Sequence, residues 1–390
     1  MARFLKNKTI ALLLMLTALL PAQADNTRVS LLTCSPGEEV YELFGHTALR
    51  YTDPDKKLDV VFGYGYFSFN TPNFVWRFIL GETDYFAGAV KYSDFIEEYS
   101  LRGSGVTEQV ISLDSLQKKA LFEILVVNCS PSSSTYRYNI FYNNCTTKVR
   151  DVLFKQVEGD ITYSTPLQAA TLRESIAQHT SSHQWTALGI NLMLGADADK
   201  PATREVLQYL PAYFMNDLST AQAGGTPLVC EQTEILQPTE KKQVLNHFTP
   251  FNSALLLLLF TMITMLCEVR SRKLFWGYDI LLMGAQGISG VMLLFMALFS
   301  EHPAVGNNYL IILLNPVPLI LIPALVYSTI KHKSNFSFMW IEAAIAIIFI
   351  ASAPFVPQSY PIPVFIFAIT TLVRSLFHIY RLRICELSLY

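Results

Sequence analysis

The sequence predicts an α+β periplasmic domain followed by an α-helical membrane bundle of about five spans. First, the 390 residues are 51% hydrophobic and only 15% charged, which is more apolar than a soluble protein of this length usually is. Second, long apolar runs begin after residue 250, whereas shorter strand and helix patterns fill the region before it. Third, the N-terminus has the pattern of a secretory signal peptide.

Residues 1–24 are predicted to be that signal peptide. Three basic residues precede an apolar run over residues 10–20, and Ala22 and Ala24 supply the small side chains of a cleavage site. The run is short for a membrane span. An uncleaved N-terminal anchor is the alternative interpretation.

Residues 25–245 are predicted to form one periplasmic domain that combines strands and helices. Runs of β-branched and aromatic residues between turn residues predict strands at 28–33, 48–51, 60–66 and 107–113. Apolar residues at helical spacing predict helices at 115–128, 144–157, 165–179 and 202–217. A polar stalk over residues 237–242 ends the domain.

Residues 246–390 are predicted to form the membrane domain. Apolar runs of spanning length occur at 251–267, 274–299, 309–330, 338–355 and 361–380. Lysine and arginine occur in the loops after the first and third runs and in the tail, whereas the other two loops contain neither. The positive-inside rule therefore predicts a multi-pass protein of the bacterial inner membrane, with residues 25–245 in the periplasm and the C-terminus in the cytoplasm.

Composition also limits the partners. A formal net charge of −2 offers no basic surface for nucleic acid. No spaced set of Cys and His predicts a zinc site, and no cofactor or metal is predicted. Cys34, Cys129 and Cys230 would share an oxidising compartment, where one disulfide among them is compatible with the sequence. The sequence does not pair them.

Two short stretches place a reactive side chain where it would be exposed. Gly45 precedes His46 at the start of a predicted strand, and Asn144 precedes Cys145 in the first turn of a predicted helix. A helix N-terminus and a nearby imidazole both lower the pKa of a thiol. The pair therefore has the parts of a thiol nucleophile and its base, although a buried structural Cys and a core His are the alternative.

The sequence resembles a family of Bacteroidota membrane proteins, long described as a domain of unknown function, that includes lipoprotein N-acyltransferases. The resemblance covers nearly the whole chain. The segments that carry it are Leu31-Leu32-Thr33-Cys34-Ser35-Pro36-Gly37-Glu38, Phe44-Gly45-His46-Thr47, Thr71-Pro72-Asn73-Phe74 and Phe141-Tyr142-Asn143-Asn144-Cys145-Thr146-Thr147. The order of His before Cys is also similar to the circularly permuted papain-like fold of phospholipid-dependent thiol acyltransferases, which is an analogy of fold.

The family resemblance implies that Cys145 is the nucleophile and His46 the base. In permuted papain-like enzymes the group that orients the His lies on the following strand, which here offers Asp59 and Tyr64. Asp59 is preferred because a carboxylate fixes the imidazole tautomer, although a turn or edge-strand charge is its alternative role.

The backbone N–H of Cys145 is expected to meet the oxyanion, together with the side chain of Asn143 or Asn144. Either Asn side chain would otherwise cap the helix.

The predicted function is a lipoprotein N-acyltransferase in the membrane. It would take an acyl chain from a phospholipid as a Cys thioester and pass it to the N-terminal amine of a lipoprotein. A thiol hydrolase, either a peptidase or a phospholipase, is the enzyme alternative, because its nucleophile and base would be the same. A non-catalytic periplasmic membrane sensor with a structural Cys145 is the alternative from another class.

Two further features have several interpretations. Glu342 and Arg374 lie inside apolar runs, where they would pair with each other, face a polar cavity or, for Arg374, extend to the cytoplasmic surface. An aromatic-rich stretch would meet the membrane interface, line an acyl pocket or pack in the core; its residues are Phe74, Trp76, Phe78, Tyr85 and Phe86.

Overall fold

The computed structural model describes residues 25–167, 170–239, 248–330 and 337–387. The predicted signal peptide over residues 1–24 lies outside the described residues, as do the end of the predicted stalk and the basic side chains of Lys331 and Lys333.

The N-terminal half is built on an antiparallel sheet. The strands are, in chain order, β1 (Arg28–Cys34), β2 (His46–Asp53), β3 (Leu58–Tyr66), β4 (Asp84–Lys91), β5 (Val106–Ile111), β6 (Thr135–Arg137), β7 (Ile161–Tyr163), β8 (Ala221–Ala223), β9 (Thr226–Pro227) and β10 (Val229–Leu236). Seven of them pair in the order β10-β5-β1-β2-β3-β4-β6, and β7, β8 and β9 form a small second sheet. The four predicted strands are confirmed, with ends within two residues of the observed ones.

Eight α-helices accompany these sheets in the described residues. They are α1 (Phe74–Leu80), α2 (Tyr92–Arg102), α3 (Ser115–Asn128), α4 (Cys145–Phe154), α5 (Leu172–Thr180), α6 (Gln184–Met193), α7 (Arg204–Leu207) and α8 (Pro211–Ser219). The helix predicted at 115–128 is confirmed. The single helix predicted at 202–217 is wrong, because Pro211 begins a new helix there. Proline has no N–H to continue the preceding helix.

Helices cover both faces of the large sheet, so its central strands are buried on both sides. Six of the seven residues of β1 are buried. One face packs against α3, α4 and α8 through residues that include Leu31, Leu49, Phe62, Leu121, Val149 and Phe214. The other face packs against α2 through Leu32, Ala48, Val61 and Phe95. The start of β2, where His46 lies, is therefore held in a rigid setting.

The C-terminal half is helical and apolar. Its helices are α9 (Pro250–Ser271), α10 (Trp276–Phe299), α11 (Val317–Ile330), α12 (Ser337–Ser352) and α13 (Ile362–Leu387). Among the described residues, four helical segments are long and apolar enough to cross a membrane, namely Pro250–Ser271, Trp276–Phe299, Tyr309–Tyr327 and Ile362–Arg381. The run at 338–355, the fourth of the five predicted spans, corresponds to α12, which has 16 residues. The prediction of a sheet-and-helix domain followed by a helical membrane region is confirmed.

The ionisable residues inside the bundle pair differently from the prediction. Arg374 is 2% exposed. Its guanidinium donates to Asp279 Oδ1 and to Glu268 Oε2, both at 2.6 Å. Glu342 instead shares a hydrogen bond with Gln286. Arg374 therefore neither pairs with Glu342 nor extends to the surface, because two carboxylates on α9 and α10 satisfy it inside the bundle.

The two halves are joined by hydrogen bonds at one end of the helical bundle. The N–H of Glu301, just after α10, donates to the carbonyl of Leu80 at the end of α1 (2.7 Å). The side chain of Asn308 donates to the carbonyl of Leu192 (2.8 Å). The side chain of Gln358 donates to the carbonyl of Leu194 (3.1 Å). Loops of the membrane half thus hold the sheet domain at the end of the bundle.

Candidate active site

Cys145 begins helix α4, and the preceding residue fixes that helix end. The side-chain oxygen of Asn144 accepts hydrogen bonds from the N–H groups of Thr146 and Thr147, both at 2.9 Å. The side-chain N–H of Asn144 donates to the carbonyl of Tyr209 at 2.8 Å. Asn144 is therefore a buried N-cap, and both the oxygen and the nitrogen of its side-chain amide form hydrogen bonds. These bonds hold Cys145 in the first turn of the helix.

A second contact ties this helix end to the large sheet. The hydroxyl groups of Thr47 on β2 and Thr146 on α4 lie 3.1 Å apart, and both residues are fully buried. Thr47 is the neighbour of His46 along the strand, as Thr146 is the neighbour of Cys145 along the helix. This bond brings together two motifs that are about a hundred residues apart in the chain.

The thiol of Cys145 meets the imidazole of His46. Burial raises the pKa of the thiol, but the charge and hydrogen bond of His46 act in the opposite direction, assisted by the hydroxyl of Thr146 and the backbone of Thr47. The resulting pKa is below the ordinary value for a cysteine. A lowered pKa is typical of a reactive thiol and not of an inert buried one.

The position of His46 is fixed by its strand and by an aromatic ring. His46 lies opposite Cys34 in the pairing of β1 with β2. Gly45 makes the turn into β2 with a φ of +80°, and a Cβ there would lie 2.5 Å from the carbonyl oxygen of Cys34, so only glycine fits. The imidazole stacks on the ring of Tyr99 from α2, with centroids 6.4 Å apart and an angle of 18° between the rings.

Asp59 lies far from His46 in the structure. It lies opposite Thr52 in the pairing of β2 with β3. Since a strand rises about 3.3 Å per residue, this position is roughly 20 Å from His46 along β2. Both carboxylate oxygens of Asp59 accept hydrogen bonds from Arg50, at 2.8 Å each. The hydroxyl of Tyr64, the other residue considered from the sequence, instead accepts a hydrogen bond from the side chain of Asn128 (2.8 Å).

The side chain of Asn143 also has another partner. Its N–H donates to the carbonyl of Arg137 at 2.7 Å, and its backbone forms a short bridge with Asn139. Asn143 thus shapes the loop that leads into α4. Neither Asn143 nor Asn144 directs a side-chain donor toward the thiol.

Three tyrosines lie near the thiol: Tyr85 is buried, and Tyr136 and Tyr138, which sequence patterns did not single out, are partly buried. Burial raises the pKa of Tyr85 to about 12, and the negative charge of the Cys145 thiolate acts in the same direction. The same two causes raise the pKa values of Tyr136 and Tyr138. A local signal was present, because Tyr136 and Tyr138 alternate just before the Cys motif. The space beside the thiol is therefore largely aromatic.

The backbone of Gly65 on β3 lies beside Cys145. It has a φ of +94°, and a Cβ at this position would lie 3.3 Å from the Cβ of Cys145. The close approach of backbone to the thiol leaves little room for a side chain there.

The described residues show neither a disulfide nor a metal site. The cysteines at positions 34, 129, 145, 230 and 267 are free. No group of three or more His, Cys, Asp or Glu side chains in the described ranges could hold a metal ion.

Comparisons with known proteins identify two family models in this chain. Residues 20–178 match a model described as the Lnb N-terminal periplasmic domain, and residues 240–383 match one described as the Lnb transmembrane domain. Together they cover most of the chain, and His46 and Cys145 lie within the first. No curated protein and no solved structure matches the chain. A periplasmic domain joined to a membrane-spanning region makes this an inner-membrane protein.

Proposed function

The chain belongs to the Lnb family, the lipoprotein N-acyltransferase family whose motifs it resembles, and from this we propose that it transfers an acyl chain from a phospholipid to a lipoprotein. The observation that carries the proposal is the contact between the Cys145 thiol and the His46 imidazole in a domain attached to membrane helices. Donor and acceptor are both lipid-anchored. A thiol held at the membrane surface raises their effective concentration.

In the first step the Cys145 thiolate attacks the ester carbonyl of the phospholipid. A C–S bond forms, the ester C–O bond breaks, and the alcohol of the lysophospholipid leaves with a proton from the His46 imidazolium. The lowered pKa of the thiol supports this step. The backbone N–H of Cys145, at the start of α4, is suited to stabilise the oxyanion.

In the second step the α-amine of the lipoprotein attacks the thioester. A C–N bond forms, the C–S bond breaks, and His46 takes the proton of the amine while Cys145 leaves as a thiolate. Both steps use the same two side chains in opposite roles. Asn144 acts as a positioning residue through its cap of α4. Tyr99 positions His46 by stacking on the imidazole.

We further propose that the periplasmic domain has a circularly permuted papain-like fold. The order of a strand His before a helix Cys supports it, since His46 begins β2 and Cys145 begins α4. In this proposal Asp59 does not orient His46, because Arg50 holds its carboxylate at the other end of β2.

We also propose that the membrane domain has five spans and a cytoplasmic C-terminus. A helix of 16 residues is about 24 Å long at 1.5 Å per residue, somewhat less than the hydrocarbon thickness of about 30 Å. The lysines and arginines in alternate loops support α12 as the fourth of five spans.

The acyl-enzyme tests this function. The full-length protein is mixed with phosphatidylethanolamine vesicles, and the mass of the peptide that contains Cys145 is measured. We expect the mass of one acyl chain on that thiol, removed by hydroxylamine as a thioester should be, and no adduct in His46→Gln. Absence of the adduct in the wild-type protein, with the thiol still alkylated by iodoacetamide, would contradict the proposal.

Adding a lipopeptide to the same reaction distinguishes acyl transfer from hydrolysis. A diacylated lipopeptide with a free N-terminal amine should gain the acyl chain as an amide, whereas the same lipopeptide with a blocked amine should not. Release of free fatty acid at the same rate with either lipopeptide would identify a hydrolase instead.

A further inference from the structure

A continuous row of aromatic rings leads away from the candidate site. Tyr138 stacks on Tyr85 with centroids 4.0 Å apart, and Tyr85 stacks on Phe67 at 5.0 Å. Phe67 stacks on Phe74 at 5.6 Å, and Phe74 stacks on Phe78 at 6.3 Å. We call these five residues the aromatic track.

The inner end of the aromatic track lies at Cys145. The charge of the Cys145 thiolate acts on both Tyr85 and Tyr138. Gly65, where an added Cβ would lie 3.3 Å from the Cβ of Cys145, is two residues before Phe67 in the chain. The first rings of the track and the wall of the thiol site are therefore adjacent.

The outer end of the aromatic track lies at the membrane bundle. The ring of Phe78 is 5.5 Å from the ring of His302, in the loop that follows α10. The carbonyl of Phe78 is also 2.6 Å from Nε2 of His302. Next to it, Trp76 packs against Phe295 of α10, with ring centroids 5.0 Å apart. The track is thus continuous with a helix that is long and apolar enough to cross the membrane.

The apolar surface around α1 is too exposed for a segment whose role is packing alone. None of the residues of α1 is buried. Val75 is 70% exposed, Trp76 53% and Phe78 43%, and Phe69, just before the helix, is 67% exposed. A contiguous exposed apolar surface marks a site of interaction with a protein, a membrane or a ligand.

We propose that the aromatic track holds an acyl chain of a membrane phospholipid, with the ester end at Cys145 and the chain lying along the rings toward α10. An acyl chain that leaves the bilayer for a periplasmic thiol would otherwise expose its methylenes to water. The aromatic rings would give the acyl chain an apolar surface in place of the bilayer hydrocarbon. The identity of the reacting ester rests on the proposed function, whereas binding of the chain by the rings does not.

The first experiment tests binding without chemistry. The full-length Cys145→Ala protein is placed in vesicles of phosphatidylethanolamine and phosphatidylglycerol, in which one acyl chain carries a diazirine. After illumination, the labelled peptides are identified by mass spectrometry. We expect label on the segments that contain Phe67, Phe74 and Tyr85, in addition to the spanning helices. Label confined to the spanning helices would overturn the proposal, whatever the fate of the acyltransferase reaction.

The second experiment tests use of the track by chain length. Acylation of Cys145 is measured with p-nitrophenyl esters of a long and a short fatty acid in the full-length wild type, in Phe74→Ser and in Leu116→Ser, which changes a 79% exposed side chain on α3. Loss of a large aromatic contact should lower the ratio of long-chain to short-chain rate about tenfold in Phe74→Ser and leave it unchanged in Leu116→Ser.

The rate of alkylation of Cys145 by iodoacetamide and the melting temperature show whether Phe74→Ser is folded. An unchanged chain-length ratio in a folded Phe74→Ser protein would overturn the proposal. If that variant unfolds, Phe78→Ser replaces it, because Phe78 is half-exposed and its loss disturbs less packing. A wild-type thiol that reacts with neither ester would contradict the proposed function and leave the result of the labelling experiment standing.

Discussion

At the scale of single residues, two opposing effects set the state of the Cys145 thiol. Burial favours the neutral thiol, and His46 favours the thiolate strongly enough to bring the pKa below its ordinary value. The local signals for both residues are readable in the sequence, since Gly45 marks the turn before the strand and Asn144 marks the start of the helix. The sequence could not show whether Asp59 orients His46, because Asp59 pairs with Arg50 through strand pairing that the sequence does not reveal.

The pH dependence of Cys145 alkylation tests this balance. Only the thiolate reacts, so the rate falls as the pH drops below the pKa of the thiol. His46→Gln removes the main cause that lowers the pKa and leaves burial, so the profile should move to higher pH. Iodoacetamide labelling followed at the Cys145 peptide measures it. Asp59→Asn is the matched control and should keep the wild-type profile.

Either of two outcomes would contradict this account of the thiol. If His46→Gln keeps the wild-type profile, His46 does not control the thiol. If Asp59→Asn moves the profile as His46→Gln does, Asp59 acts on the imidazole in a way that its pairing with Arg50 does not explain.

At the scale of elements, the strands and the longest helices followed from local patterns, whereas their partners did not. The runs for α9, α10 and α13 were visible in the sequence, but nothing local showed that Arg374 of α13 would meet Glu268 of α9 and Asp279 of α10. The pairing of charges between helices depends on how the bundle packs. A periodic pattern along one helix carries no information about it.

Removal of that buried cation should destabilise the bundle. Arg374→Leu removes the cation from the buried Glu268 carboxylate and leaves Asp279 with the His378 imidazole, which should cost about 3–5 kcal/mol. Arg270→Leu, at an exposed position of α9, removes the same side chain without breaking the network. Thermal unfolding of the full-length protein in detergent should show a large fall in melting temperature for Arg374→Leu alone. Equal melting temperatures for the two variants would contradict the assigned role.

The number of spans is tested by reporters on either side of α13. With five spans, green fluorescent protein fused to the C-terminus should fluoresce, and alkaline phosphatase fused there should be inactive. Phosphatase fused after residue 358, in the loop before α13, should be active. An active phosphatase at the C-terminus would show that the tail is periplasmic and that α12 does not span the membrane.

At the scale of the whole molecule, hydrogen bonds attach the sheet domain to the membrane bundle. The loop after α10 bonds to the end of α1, and the side chains of Asn308 and Gln358 bond to the carbonyls that end α6. The division into two regions was predictable from hydropathy. Their attachment was not, because it uses backbone groups and polar loop residues, whose pairing depends on the assembled structure. This attachment joins the domain that carries the candidate site to the membrane helices.

We propose that the chain acylates lipoproteins through Cys145. The most direct measurement is mass spectrometry of lipoprotein N-termini from a strain that lacks its own N-acylating enzyme and expresses either the wild-type chain or Cys145→Ser. A third acyl chain should appear with the wild type and be absent with Cys145→Ser. Unchanged lipoproteins in both strains, with both proteins present in the membrane, would contradict the claim, as would a third acyl chain in the Cys145→Ser strain.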